Sequence, residues 1–412
     1  MNISTFIARR IAFNQQRSFS RFIIRLSTVA TAISVMVMIV TLSFVNGFQG
    51  VVSQKVFSFW GHVRIGFRQP GKTAIAEEVP MPQNDSVVRT VRAMKGVQSI
   101  HPFATKYAIL KTPEEMEGTL VKGLDSTYDF GHLQPFLEKG GRWLRFNDSS
   151  YTRELVVSRY TADQLGLKVS DRVLIYFVRP DGSMRPDKLT IVGIYKTGIE
   201  EYDKTFALGD IRLIRRLNGW QEGEVGGYEV FLDDYRQMNQ VSADIYSQPS
   251  FPQLWETKTI REIYPNIFDW LGIVGSNGSI LLIIVAVIVI INFITCLIIL
   301  VLERVRMIGI LKAVGASDWA IQKVFLIHSS IVTITGILVG AGLSLLLIWL
   351  QQEFKIVKLK EQEYYMSFAA VEINWAQVGL VVGATLLLSV VVLLIPSMLV
   401  RKIRPIQAIR FS

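Results

Sequence analysis

The sequence predicts a polytopic α-helical membrane protein with four transmembrane helices and a large α+β domain between the first and second. Three observations carry that prediction. Half of the 412 residues are hydrophobic and only 19% are charged, a composition outside the ordinary range of soluble proteins. The hydrophobicity is gathered into runs at 26–46, 273–302, 324–350 and 377–400, with more than 200 residues of mixed composition between the first run and the second. Basic residues collect at both ends of the chain and in the short connection after the second run.

The second run shows why these are spans. Between Ile280 and Leu302 the one strongly polar side chain is Asn292, and a helix of that length rises roughly 35 Å, enough for a hydrocarbon core of about 30 Å. A buried helix of a soluble core rarely runs so long without charge. Residues 1–25 hold Arg9, Arg10, Arg17, Arg21 and Arg25 and no acid, with Phe6, Ile7 and Ile11 on the opposite side. This reads as an amphipathic helix on the inner membrane surface; no small-residue site closes the following run as in a cleavable signal peptide. The first span (26–46) is studded with Ser27, Thr28, Thr31, Ser34, Thr41 and Ser43, a face suited to packing on protein or to lining a route. Asn46-Gly47 is read as the end of that helix, with Phe48–Trp60 continuing as a stalk.

Within residues 47–272 the pattern alternates strands and short helices, the signature of an α+β domain of two interleaved lobes. A helix is expected at 85–94, strands at 97–100, 103–111 and 118–124, a strand at 155–158 with a helix from 159 to 165, and a hairpin of 171–178 with 189–195 around Pro180–Pro186. A brief strand at 206–208, helices at 209–217 and 234–242, a strand at 227–232 and a last helix at 259–272 complete it. Span two (273–302) leads to a charged segment, 303–323, in which Met307, Ile310, Leu311 and Val314 form one apolar stripe at helical period. Span three (324–350) contains Gly336-x-x-x-Gly340, a small-residue contact face. A loop (351–376), span four (377–400) with Pro396 in its last turn, and a basic tail (401–412) follow.

Charge sets the expected topology. The first 25 residues carry +5, the 303–323 connection +2 and the tail +4, whereas the 351–374 loop carries −1 and the large domain balances 28 bases against 28 acids. Basic segments stay in the cytoplasm, so both termini are placed inside and the large domain outside. The net charge of +10 is thus a topology signal and gives no reason to expect nucleic acid as a partner. The single cysteine, Cys296, lies in span two, so no intrachain disulfide exists.

Catalytic constellations are missing. The histidines at 62, 101, 132 and 328 have no metal-ligand spacing, and no nucleophile–base arrangement can be drawn. Gly66–Thr73 matches the letters of a phosphate-binding loop. It is followed by the short, acidic Ala-Ile-Ala-Glu-Glu-Val-Pro80 rather than by a helix whose amides would hold phosphate, and it is read as a turn. His328 is read as a packing residue. No enzyme activity is expected of this chain alone.

Several stretches together resemble the FtsX-like permeases of ATP-binding-cassette exporters, and among them the lipoprotein-releasing LolC/LolE type. They are LSFVNGFQ (Leu42 to Gln49) with HVRI (His62 to Ile65), LTIVGIYKTGIEEYDKTFALGDI (Leu189 to Ile211), ERVRMIGILKAVGAS (Glu303 to Ser317) and RPIQAIRF (Arg404 to Phe411). The resemblance implies a MacB-like periplasmic domain, an inner-membrane location, and no cofactor on this chain, with ATP and Mg bound by a partner ATPase. It implies as partners a cytoplasmic ABC ATPase dimer, a second permease subunit (identical or homologous), triacylated lipoproteins and a periplasmic lipoprotein carrier. Glu303, Arg304, Met307, Gly309, Ile310, Leu311, Lys312, Gly315 and Ala316 would couple to the ATPase. Phe44, Phe48, Val51, Val52 and Phe57 would meet lipoprotein acyl chains. Arg179 and Arg185 would meet the carrier, although the turn at 179–187 is short for the hook that LolC-type subunits extend. A LolE-like role or a homodimer therefore stays open. A split exporter of peptides, drugs or toxins and a signalling scaffold controlling a periplasmic hydrolase are the alternatives.

Overall fold

A computed structural model describes residues 19–69, 71, 76–147, 150–178 and 182–397, the side chains of 19–21, 178, 185 and 393–397 excepted. The expected helix within 1–25 and the tail signature at 404–411 lie outside the described residues, apart from the start of the first helix. Among the described residues, four helices are long and apolar enough to cross a membrane: α1 (Phe19–Trp60), with α8 (Pro265–Glu303), α10 (Asp318–Phe354) and α12 (Trp375–Ser397). The large α+β domain lies between the first and second of them. The chain divides into two compact units, one of the helices, the other of Val51–Trp270 with Leu359–Ser367.

In the α+β unit, the elements in order are β1 (Val63–Phe67), β2 (Met81–Pro82), α2 (Asp85–Arg92), β3 (Val97–Lys111), β4 (Met116–Leu124), β5 (Glu154–Ser158), α3 (Arg159–Leu165), β6 (Arg172–Val178) and β7 (Met184–Tyr195). Then come α4 (Glu200–Thr205), β8 (Phe206–Asp210), α5 (Ile211–Asn218), β9 (Glu224–Val225), β10 (Gly227–Leu232), α6 (Met238–Tyr246), β11 (Trp255–Thr259) and α7 (Ile260–Ile263). Nine strands form one sheet in the order β11-β1-β10-β3-β4-β8-β5-β7-β6, and β6 returns to pair with Ala108–Lys111 of β3. Six strands therefore close into a ring, which leaves no edge there, while β10, β1 and β11 extend from the first half of β3. The two expected lobes are two ends of one sheet, joined by the 15-residue strand β3.

That strand corrects the expectation of two separate ones. Pro102 lies within it, paired with Tyr228 on one side, at a point where β4 has not yet begun on the other, which is where a strand tolerates proline. The β6–β7 hairpin is tighter than expected, because β7 starts at Met184 and takes Pro186 into the ladder opposite Tyr176. The helix expected at 259–272 is interrupted at Tyr264 (φ −120°, ψ 58°), and α8 restarts with Pro265, whose missing N–H is harmless in a first turn.

In the helical unit, the hydroxyl face of α1 is inward: Ser27, Thr31 and Ser34 are buried while Phe22, Leu26, Val29 and Ile33 are exposed. Asn292 of α8 donates to the Ser27 carbonyl and to Thr31 Oγ1, both at 3.3 Å, so the polar residue of span two has its partners on span one. Gly336 and Gly340 form the expected contact face of α10. A Cβ on Gly340 would lie 2.4 Å from the Ala32 carbonyl oxygen, and one on Gly336 2.8 Å from Thr31 Cβ. Asn46-Gly47 does not break α1. Gly47 instead lets the segment Ala370–Val371 pass, since a Cβ there would meet Ala370 O at 2.6 Å and Val371 Cα at 2.7 Å; Glu372 N donates to Ser43 O beside it.

Candidate functional site

The connection between α8 and α10 is a short helix, α9 (Val305–Ala313), shorter than the 303–323 expected; residues 318–323 already belong to α10. The Lys312 carbonyl accepts from Gly315 N and the Leu311 carbonyl from Ala316 N, and Gly315 takes φ +94°, the left-handed helix ending that glycine permits. Ser317 then caps α10, accepting from Ala320 N, and Lys312 pairs with Asp318 at 2.8 Å. The turn is thus fixed at both ends by local chemistry.

The expected apolar stripe divides between two faces. Ile308 is fully buried and Gly309 is buried; Met307, Leu311 and Ala316 pack against the cluster of Leu300, Val301, Ile308, Ile321 and Phe325. Ile310 (51% exposed) and Val314 (83%) point outward, as do Leu302 and Trp319. Glu303 is exposed and Arg304 half-buried. An inward-facing half anchors the segment, and an outward apolar half is left on the surface. Ile308 was not among the expected residues, since its four-residue neighbours Arg304 and Lys312 are charged and the apolar period does not mark it.

Of the residues expected at the acyl chains, Phe48, Val52 and Phe57 are buried within the chain, and Phe44 and Val51 keep partial exposure. Phe44 and Phe48 stack at 5.7 Å between centroids. Of those expected at a carrier, Arg179 lies outside the described residues; Arg185 pairs with Phe177 in the hairpin ladder, its side chain being outside the description.

The 189–211 stretch builds a defined turn. Asp203 accepts from Thr197 N (2.9 Å), Thr197 Oγ1 (2.8 Å) and Gly198 N (3.0 Å); burial raises its pKa against the pull of these donors. Tyr195 OH donates to Phe206 O at 2.8 Å. The turn holds Gly198 at φ +74° and presents Lys196, whose Nζ lies 2.5 Å from Glu361 Oε2. Lys55 Nζ donates to the Tyr365 carbonyl at 2.6 Å. Lys55 and Glu361 were not singled out, and sequence separations of 165 and 310 residues leave no periodic signal to find them.

The last turn of α1 enters the core of the α+β unit. Phe59 and Trp60 are buried among Tyr195, Tyr202, Phe206 and Tyr264. Lys122 Nζ donates to the Phe59 carbonyl and lies 4.4 Å from the Trp60 ring centroid, with the Arg64 guanidinium 4.6 Å from the same ring.

The phosphate-loop lookalike is placed differently. Gly66 lies inside β1 and the next described helix is α2, while Glu77 and Glu78 pair with Lys106 (3.1 Å) and Arg64 (2.8 Å). Residues 70 and 72–75 are outside the described residues. Among those described, no three His, Cys, Asp or Glu side chains group to hold a metal. His328 is buried in α10.

Comparison with known proteins gives two adjoining matches. A family model for the MacB-like periplasmic core domain matches residues 26–247, and one for the FtsX-like permease C-terminal region matches residues 279–405. The chain is 23% identical to the lipoprotein-releasing system transmembrane protein LolC of Neisseria meningitidis over 98% of both chains. It is also 23% identical to the LolE protein of Haemophilus influenzae over 99% of both. The periplasmic region of MacB from Actinobacillus actinomycetemcomitans aligns at 12% identity and TM-score 0.35, over 50% of this chain and 91% of that one. With the first family model spanning more than half its length, the chain belongs to the ABC transporter permeases that join a MacB-like periplasmic core domain to an FtsX-like C-terminal region.

Proposed function

We propose that this permease extracts lipoproteins destined for the outer membrane from the inner membrane and passes them to a periplasmic carrier, driven by a separate ATPase. The observation that carries the reading is the end-to-end likeness to proteins named for lipoprotein release. The arginine-rich ends put both termini and the α9 turn in the cytoplasm. There the outward Ile310 and Val314 meet a dimeric ABC ATPase, which holds the ATP and Mg; this chain holds none. Glu303, Arg304, Lys312 and Gly315 shape that contact, while Met307, Gly309, Leu311 and Ala316 tie it to the spans.

A second permease subunit completes the complex. The acyl chains of a triacylated lipoprotein meet Phe44 and Val51 first; Phe48, Val52 and Phe57 become available only when helix contacts open. Each buried CH₂ adds ~0.8 kcal/mol to be overcome, which is why extraction must be coupled to hydrolysis. The hairpin carrying Arg179 and Arg185 is short, so its grip on the carrier is weak. Depleting the protein and taking a census of lipoproteins in the inner membrane tests the reading. Accumulation of outer-membrane lipoproteins there is expected; an unchanged census with loss of export of another compound would sink it.

A further inference from the structure

The middle of the loop between α10 and α12 groups with the α+β unit, while the two ends of the loop stay with the helices it connects. Its segment Leu359–Ser367 contains a helix of one turn, α11 (Glu361–Tyr364), and closes on itself through Leu359 N to Ser367 O at 3.0 Å. Three parts of the chain meet it. Lys196, on the 195–203 turn, pairs with Glu361. Lys55, on α1, donates to the carbonyl of Tyr365. Trp270, in the first turns of α8, packs edge-on to the Tyr365 ring at 5.4 Å. The contact is drawn close at Gly198, where a Cβ would lie 2.5 Å from Glu361 Oε1 and 2.8 Å from Lys55 Nζ.

We propose that Leu359–Ser367 is a releasable latch, held on Lys55, Lys196 and Gly198 in the resting state and let go during the transport cycle. The inference rests on the permease reading above. The chemistry of the contact is that of something that opens. Lys196 is 47% and Glu361 30% exposed, and pairs so exposed contribute little, because water replaces the partner. On opening, Lys55 exchanges the Tyr365 carbonyl for water, which offsets much of the loss of that hydrogen bond. A groove of about 530 Å³, lined by Tyr160, Lys196, Gly198 and Glu361 among others, already brings solvent to the contact. The end of α1 is built the opposite way, with Phe59 and Trp60 sealed in aromatic rings. The end of α1 is sealed by buried rings, whereas Leu359–Ser367 is held by a solvated ion pair, an ammonium–carbonyl hydrogen bond and a ring contact, and is the part free to leave its seat.

The test uses the full chain with its ATPase in native membranes. Cysteines at 200 and 362 (Glu200→Cys, Gln362→Cys), which line the same groove and leave the Lys196–Glu361 pair intact, in a Cys296→Ala background are joined by a short bismaleimide, with and without ATP plus vanadate. A cross-link in the resting state that falls about fivefold on trapping supports the latch, since a shift of that size is within what one exposed ion pair controls. Equal yield in both states, or a cross-linked chain that releases lipoprotein at the full rate, would overturn it. Charge reversal provides a second arm. Lys196→Glu and Glu361→Lys are each expected to lower release, and the double reversal to restore it; singles at full rate, or a double no better than either, would overturn the latch. Nucleotide-dependent cross-linking in a chain that releases no lipoprotein would remove the proposed cargo and leave the latch standing.

Discussion

Lys122 Nζ lies 2.7 Å from Glu229 Oε1, and both side chains are shut off from solvent. Lys122 comes from β4 and Glu229 from β10, strands on either side of β3, and the same ammonium caps the C-terminal end of α1 through the Phe59 carbonyl. A cation is favoured at that end of a helix, and here it also binds the helix to the sheet. Removing one member of a buried pair leaves an uncompensated charge, at a cost of about 3–5 kcal/mol, whereas replacing both by apolar residues is often close to neutral. Lys122→Met and Glu229→Leu are therefore expected each to lower the thermal midpoint of the purified full chain sharply. The double variant is expected to recover most of the loss. Additive losses in the double would show that the pair is not coupled.

Acid is expected to loosen the α+β unit through two histidines. Burial pushes His62 and His101 each down to about 4. His62 must be neutral to accept from Leu232 N at Nδ1 (3.0 Å). The unfolded chain takes up a proton near 6.5 and the folded one near 4, so the unfolded state holds more protons between those values. Stability is thus fully present above pH 6.5 and falls as pH drops toward 4, by roughly 3 kcal/mol per histidine. A pH series of unfolding midpoints checks this. His101→Leu should flatten the slope, and an unchanged slope in that variant would count against His101.

The parts of the fold that local pattern governs were legible in the sequence. Four spans, the hydroxyl face of α1 and the Gly336–Gly340 contact follow from length and four-residue spacing. What was misread depended on residues far away along the chain. Asn46-Gly47 has the composition of a helix stop, yet the constraint on Gly47 comes from Ala370. Pro102 looks like a strand end until β10 is known to pair across it. The stripe at 307–314 marked a segment that is helical in the structure, but its two faces were separable only once the cluster around Phe325 was in place. Lys55, Lys196 and Glu361 are surface-type residues with no pattern between them; their meeting is purely tertiary.

Gly340 tests the close approach of α10 to α1. Gly340→Val forces a Cβ against the Ala32 carbonyl, and since backbone cannot yield as a side chain does, the loss is expected at or above the roughly 1–3 kcal/mol of ordinary overpacking. Gly342, with nothing within 4 Å of its Cβ, is the matched control: Gly342→Ala should leave the midpoint unchanged or slightly raised. Equal effects at the two positions would remove the packing explanation.

Docking of the ATPase is expected to depend on the outward face of the α9 turn. Val314→Asp and Ile310→Asp place charge on the exposed apolar surface without touching the buried Ile308, and should abolish ATPase co-purification while leaving the chain folded. Gly315→Val acts differently. There is open space around its Cβ, so the loss comes from the left-handed backbone alone, about 1–2 kcal/mol, and binding should weaken rather than vanish. Full ATPase recovery with both aspartate variants would place the docking surface elsewhere.

Phe44 and Phe48 separate the resting surface from the opened one. They stack on each other, yet Phe48 is 1% exposed while Phe44 is part-exposed. Photo-activatable residues at the two positions are expected to behave unequally. Position 44 should capture lipoprotein in the nucleotide-free complex, and position 48 only under turnover, because acyl chains reach it after the helix contacts part. Capture at 48 without nucleotide, equal to that at 44, would mean that the buried face is already open to lipid at rest. Silence at both, with capture elsewhere on the chain, would mean that the acyl chains take another route.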